Sequence, residues 1–301
     1  MKILFNGLGS IGQKHLRNLL RIVEEPLEIH ALRSSHSPLD ADLASAITKI
    51  YHTYQEIEEQ YDIIFITNPT SLHYEALCNL QNKAKAFFIE KPAFHAMVDL
   101  TTIANQAICY VACPLRHSAI FQYVKEYLPY QEAFHIRSLC SSYLPNWRPA
   151  QNYKESYSAK QALGGGVDLD LIHEWDYLSG LVELPASIYR LAGKHSALDI
   201  ETNDAAVYVA HDSKRIIEVH LDYFGHIPRR TLELFTPANT YIIDFMKHTI
   251  QDKDSVLAIP KQDMYERELR YFLQLCAKEA ENINDLNHAM QVLSTTMIPQ
   301  I

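Results

Sequence analysis

Two small groups of residues in this chain have the makings of proton chemistry. Lys91 sits in Glu90-Lys91-Pro92, directly after the apolar run 86–89 (AFFI). The residue before a proline is pushed toward extended backbone, so its ammonium is expected to point into a crevice at a strand end. There it would serve as a proton donor or an electrostatic partner to a substrate oxygen. The second group is Asp170, His173 and Asp176, spaced three apart. On a helix over 167–179 they would share one stripe. A carboxylate beside an imidazole raises its proton affinity and fixes its orientation, as general acid–base catalysis requires. Each group also has a plainer reading, a surface lysine at a strand end and a buried structural histidine. A metal pair is a further reading of H-x-x-D, but no H-E-x-x-H or third ligand accompanies it, so no metal is expected.

Glycines show what must position these groups. The chain has nine, and six fall in two clusters: Gly7, Gly9 and Gly12, then Gly164, Gly165 and Gly166. The run 1–6 (MKILFN) reads as a strand, and QKHLRNLLRIV after Gly12 has helical periodicity. Strand, G-x-G-x-x-G and helix in that order form a dinucleotide-binding fingerprint. Gly7 makes the turn, Gly9 admits the pyrophosphate and Gly12 allows close helix packing. The helix start at Ser10 and Ile11 offers N–H groups to the phosphates. The next strand, 27–32 (LEIHAL), ends at Arg33-Ser34-Ser35, where NAD-preferring folds carry an acidic residue. Arg33 and Ser34 would accommodate a 2′-phosphate, so NADP(H) is expected over NAD(H). The alternative is a solvated loop arginine.

Alternation continues with a possible strand at 47–51 and a short helix at 54–60. Strand 62–67 (DIIFIT) ends at Asn68-Pro69-Thr70 and leads to helix 72–81; strand 86–89 leads to helix 97–106 and strand 108–112. This pattern predicts a doubly wound parallel sheet, with ligands at the carboxyl ends of its strands. A helix is expected at 118–128 and a strand at 134–142. A polar, aromatic stretch follows, holding Trp147, Arg148, Tyr153 and Tyr157. Rings and hydroxyls suit a sugar, and Arg148 suits a phosphate or carboxylate; a lid or interface loop is the other reading. The second glycine cluster is expected to let backbone pass close to a cofactor. Five strand-like runs after Ser187 predict a largely antiparallel sheet, one face of which could carry dimer contacts. Helices 264–281 and 285–297 close the chain.

A net charge of −9 argues against nucleic-acid binding. No apolar run reaches the roughly 18 residues of a membrane helix, and the N-terminal apolar stretch runs straight into the glycine motif rather than reading as a signal peptide. The five cysteines are scattered and odd in number, which predicts reduced thiols in a cytoplasmic protein.

Taken in order, Gly7-x-Gly9-x-x-Gly12, Asn68-Pro69-Thr70-x-x-His73, Glu90-Lys91-Pro92, Leu115-Arg116, Gly164–Gly166 and His173-Glu174-Trp175-Asp176 resemble the Gfo/Idh/MocA oxidoreductases (the glucose–fructose oxidoreductase and inositol dehydrogenase family). The resemblance spans nearly the whole chain. It implies an α/β protein: a Rossmann domain over 1–115, then a substrate-binding and oligomerisation domain over 116–301 with an open, largely antiparallel mixed sheet. The last helices are expected to return to the first domain. It implies hydride transfer between a nicotinamide and a sugar, sugar-phosphate or nucleotide-sugar carbon, in a homodimer or homotetramer formed through the second sheet. Lys91 would orient the substrate, His173 would be the acid/base and Asp170 its assistant. His73 and Glu90 would belong to the cofactor site; Arg116 and Asp176 would join Trp147, Arg148, Tyr153 and Tyr157 around the substrate. The chain departs from the pattern in three places. Leu169, not an aspartate, stands four before the histidine; Asp168 occupies an ordinarily apolar position; and Ala112-Cys113-Pro114 replaces a Gly-Tyr-Asn-like run. A catalytically silent sensor and a reductase of a non-sugar substrate are the rival readings.

Overall fold

Apolar runs covered on both faces build the first sheet of the protein, seen in a computed structural model that describes residues 1–35, 38–103 and 107–300. Its elements are β1 (Lys2–Asn6), α1 (Ser10–Ile22), β2 (Glu28–Leu32), α2 (Ala41–Ala44), β3 (Ile47–Tyr51), β4 (Tyr61–Ile66), α3 (His73–Leu80), β5 (Ala84–Ile89) and β6 (Ile108–Val111). All six strands are parallel, in the order β3-β2-β1-β4-β5-β6. That is the doubly wound dinucleotide-binding order, which reverses between β1 and β4. Asn6 is in register with Leu32 and Ile66, and Ile66 with Ile89. Arg33, Gly7, Thr67 and Glu90 therefore leave the sheet side by side at one edge.

The chain divides into two compact units, one of Met1–Ala112 with Tyr265–Met290, the other of Cys113–Met264 with the residues from Gln291 onward. Within the first, helix α7, which runs Met264–Cys276 and joins this unit at Tyr265, brings Phe272 against Phe65, Phe88 and Tyr110, with centroids 5.2 to 6.2 Å apart. Each buried ring is worth roughly 1.5–3 kcal/mol, which anchors this distant segment. Tyr110 also donates to the buried Glu268 at 3.0 Å.

The second unit holds α4 (Ala119–Tyr127), β7 (His135–Tyr143), α5 (Val167–Asp170), α6 (His173–Ser179) and strands β8 (Ser187–Gly193), β9 (Ala205–His211), β10 (Ile216–Asp222), β11 (Phe224–Phe235), β12 (Thr240–Asp244), β13 (Thr249–Gln251) and β14 (Val256–Ala258). α8 (Leu286–Thr296) ends the helices. The eight strands run β14-β13-β12-β11-β7-β10-β9-β8. Only β7 with β10 is parallel; the other pairs are antiparallel. One face is buried through Ile136, Ile217, Val219, Tyr208 and Leu232, with Trp175 of α6 edge-on to Tyr208. The other face leaves Tyr189, Leu191, Val209 and Ile242 exposed.

Several expectations shift. The helix over 167–179 is broken into α5 and α6 by a turn at Leu171–Ile172, where Leu171 leaves helical geometry (φ −99°, ψ 20°). The helix at 54–60 shortens to a 3₁₀ turn, Tyr54–Glu56. That expected at 97–106 is a 3₁₀ turn at Leu100–Thr102, its capping Asp99 accepting from Thr101 N–H; residues 104–106 lie outside the described set. β13 and β14, each three residues long, were too short to stand out in the sequence. The five cysteines are free thiols, and among the described residues no helix is long and apolar enough to cross a membrane.

Candidate active site

The glycine motif of the first unit is fixed by neighbours that leave no room for a side chain. Gly7 has φ +99°, and a Cβ there would lie 2.6 Å from the Asn68 nitrogen. A Cβ on Gly12 would lie 2.6 Å from the Gly7 carbonyl oxygen and 2.7 Å from Thr67 Oγ1. Thr67 Oγ1 donates to that same carbonyl at 2.6 Å, and Gly7 N–H donates to Leu32 O at 3.0 Å. Gly9 differs: nothing lies within 4 Å of its Cβ position. So Gly7 and Gly12 close the turn, while Gly9 faces open space at the start of α1. Ser10 is exposed and Ile11 half-buried there, with no acidic residue in the first turn. This geometry suits a pyrophosphate on helix N–H groups, so the residues fit a dinucleotide.

Around that edge the structure gathers most of the expected cofactor residues. Arg33 follows β2 half-buried, its N–H donating to Tyr51 O and its carbonyl facing His52 Nδ1, each at 2.9 Å. Ser34 is exposed. Asn68 is half-buried, Pro69 exposed and Thr70 buried in the turn after β4. His73 is buried, with Nε2 2.9 Å from Asn68 O and Nδ1 3.1 Å from both Pro92 O and Ala93 O. It latches the Asn68 turn to the Lys91 turn rather than facing outward. Burial pushes the ring below the ordinary histidine value, against the three carbonyl contacts. Glu90 is buried too, 2.5 Å from His15 Nε2 on α1, and its other oxygen accepts Lys91 N–H at 3.2 Å. Burial alone would raise its carboxyl; the His15 contact, aided by Lys91 and His73, holds it below its ordinary value. A charged Glu90 thus ties α1 to the backbone of the half-buried Lys91. Neither His15 nor Thr67 had suggested itself from sequence, although each follows a glycine or strand signal closely.

In the second unit His173 opens α6 and Asp170 closes α5, both buried. Asp170 Oδ2 accepts from Tyr223 at 2.6 Å. Asp168 is explained by its neighbours: it accepts from Arg190 Nε at 2.9 Å, Tyr208 at 2.6 Å and Asn203 at 3.2 Å. It is a buried structural pair. Arg116 and Asp176 were expected around a substrate. The structure turns them on each other, with Arg116 Nη2 2.9 Å from Asp176 Oδ1, Nε 3.0 Å from its carbonyl, and Nη2 2.8 Å from Ser179. Breaking such a buried pair from one side costs about 3–5 kcal/mol, so Arg116→Ala is expected to lower the thermal midpoint sharply. An unchanged melting curve would contradict the pairing.

Trp147 is 40% exposed and donates to Ser142 Oγ at 2.9 Å. Arg148 is exposed; Tyr153 and Tyr157 are half-buried, and the Tyr153 hydroxyl accepts Asp199 N–H at 3.3 Å. The second glycine cluster serves this segment. A Cβ on Gly165 would lie 2.1 Å from Tyr157 O, and Gly166 adopts φ +123°. Its close approach is to the aromatic stretch's own backbone. The acidic group Glu28, His30 and Glu59 brings ligand-type atoms within 4.8 Å, but Lys2 and Lys49 both pair with Glu59 and hold its carboxyl at about 2. That cluster is an ion-pair network.

Residues 1–112 match the family described as an oxidoreductase family with an NAD-binding Rossmann fold. No curated protein matches the chain. Solved structures do. UDP-N-acetylglucosamine 3-dehydrogenase GnnA from Acidithiobacillus ferrooxidans is 16% identical with a TM-score of 0.78, covering 99% of this chain and 95% of its own. Myo-inositol 2-dehydrogenase from Lactobacillus plantarum is 18% identical with a TM-score of 0.79, covering 99% and 95%. The WlbA dehydrogenase from Bordetella pertussis, in complex with NADH and UDP-GlcNAcA, is 15% identical with a TM-score of 0.80, covering 98% and 94%. At these identities the likeness is one of fold.

Proposed function

The chain carries the NAD-binding Rossmann domain of the GFO_IDH_MocA oxidoreductases, and from that premise we propose that it is an NAD(P)-dependent dehydrogenase of a sugar, sugar phosphate or nucleotide sugar. The observation that carries this reading is the cradle in which Gly7 and Gly12 admit no Cβ and Gly9 stands open, with Lys91 presented at the same sheet edge. Fold likeness to dehydrogenases of inositol and of a nucleotide sugar supports the substrate class.

In this scheme Gly7, Gly9, Ser10, Ile11 and Gly12 hold the pyrophosphate, and Asn68, Pro69 and Thr70 line the turn beside it. His73 and Glu90 fix that turn and the Lys91 turn. A nicotinamide held by these residues would supply the hydride acceptor for the carbinol carbon. Lys91 orients the substrate oxygen and favours its loss of a proton; His173 receives that proton, with Asp170 assisting. Trp147, Arg148, Tyr153 and Tyr157 contact the sugar or its phosphate or carboxylate substituent. Arg116 and Asp176 act one step away, by holding α6. Exposed Tyr189, Leu191, Val209 and Ile242 make the open face of the second sheet the seat of a homodimer or homotetramer; sedimentation that finds only monomer would remove that part.

Screening the purified protein with NADP+ or NAD+ against sugars, sugar phosphates and nucleotide sugars, by absorbance of the reduced nicotinamide, tests the reaction. NADP(H) is the preferred cofactor, because Arg33 and Ser34 follow β2 where a carboxylate would repel a 2′-phosphate. Arg33→Ala is expected to weaken NADPH roughly tenfold, about 1.4 kcal/mol, and to leave NADH unchanged. Equal losses for both cofactors would contradict the assignment.

A further inference from the structure

Tyr223 drew no attention in the sequence, lying far along the chain from either reactive group. In the structure it fills the corner between β10 and β11, fully buried. Its backbone is clamped on both sides: its N–H donates to Asp204 O and its carbonyl accepts Leu144 N–H, each at 2.9 Å. The hydroxyl therefore has a fixed origin from which to reach Asp170 Oδ2 at 2.6 Å. Burial, reinforced by the Asp170 charge, pushes the phenol well above its ordinary value, so it remains a donor. The indole of Trp147 stands edge-on to the same ring, with centroids 5.3 Å apart and planes at 89°. Tyr157 and Ser158 of the aromatic stretch also lie within electrostatic reach of the hydroxyl.

Asp168, two residues earlier, accepts from a guanidinium. The Tyr223 phenol gives Asp170 direction through a short hydrogen bond. We propose that Tyr223 is the positioning residue of Asp170: it orients that carboxylate for proton handling and couples its orientation to the stretch bearing Trp147 and Tyr157. The inference rests on the role given to Asp170 above.

The test uses the whole protein as wild type, Tyr223→Phe, Asp170→Asn and the double variant. Phenylalanine keeps the ring against Trp147, so the fold is retained. The first readout needs no turnover. A slowly exchanging tyrosine hydroxyl proton should be visible by NMR in the wild type, disappear in Tyr223→Phe and move in Asp170→Asn. Its absence, or its indifference to Asp170→Asn, overturns the inference. The second readout is kcat with NADP+ and UDP-N-acetylglucosamine as probe. Tyr223→Phe should lower kcat about tenfold, as loss of one hydrogen bond to a charged group does, with KM and NADPH affinity unchanged and no further loss when added to Asp170→Asn. Effects that multiply, or that fall on KM, overturn it. If the wild type does not turn the probe over, the proposed substrate class is what fails, and the hydroxyl proton decides the inference by itself.

Discussion

His173→Ala and Lys91→Ala should each lower kcat by ~10²-fold or more, the loss that removal of a general acid–base group produces, while NADPH binds nearly as before. The separation follows from placement. His173 opens α6 in the second unit, away in sequence from every group of the glycine cradle. Lys91 leaves β5 beside the cradle, but its backbone is held independently of its amine: Glu90 accepts its N–H, and His73 faces the carbonyls of Pro92 and Ala93. Removing the ammonium therefore takes away chemistry and leaves the turn. Steady-state kcat and NADPH fluorescence titration measure the two effects separately. Variants that turn over like the wild type would sink the mechanism. Variants that lose NADPH binding in proportion to kcat would make both residues cofactor ligands.

The second large effect separates the glycines of one motif. Gly7→Ala places a Cβ 2.6 Å from backbone at Asn68 and 2.9 Å from backbone at Thr67, in a left-handed conformation as well. That conformation alone costs an ordinary residue about 1–2 kcal/mol, and backbone cannot swing aside as a flexible side chain can. Gly12→Ala meets the Gly7 carbonyl at 2.6 Å. Both variants should melt several degrees lower, at roughly 2–4 °C per kcal/mol for a chain of this class, and should lose NADPH. Gly9→Ala meets nothing within 4 Å. It should melt like the wild type yet bind NADPH roughly tenfold or more weakly, a cost of at least about 1.4 kcal/mol, because its methyl occupies the phosphate's approach. Equal melting losses for Gly9→Ala and Gly7→Ala would contradict the division of labour.

The first sheet was legible because its signals are local. A strand, a glycine turn and a helix follow one another within the first 22 residues, and each later strand ends at a marked turn. The paired residues Glu90 and Lys91 were legible for the same reason. What escaped was whatever depends on a partner far along the chain. Sequence could not show that Arg116 and Asp176, both expected beside a substrate, pair with one another across 60 residues. Tyr223 was invisible for the converse reason, its role existing only where Asp170 lies. The broken helix between Asp170 and His173 also escaped, since three-residue spacing reads the same whether or not the helix is continuous. His73 was legible as part of a motif, but its inward latch between two turns was not. Gly165 was expected to approach a cofactor, whereas the structure sets it against the backbone of Tyr157 and Ser158.

The central claim is that hydride passes between a sugar carbon and a nicotinamide held on the cradle at Gly7, Gly9 and Gly12. The most direct measurement follows deuterium, with a substrate from the screen labelled at its carbinol carbons, NADP+ and the wild-type protein, and mass analysis of the reduced cofactor. The account predicts one deuterium in the NADPH formed, and none formed by Lys91→Ala or His173→Ala on the same timescale. Tight NADPH binding with no reduced cofactor from any member of the panel would contradict it and make the chain a silent sensor on this fold.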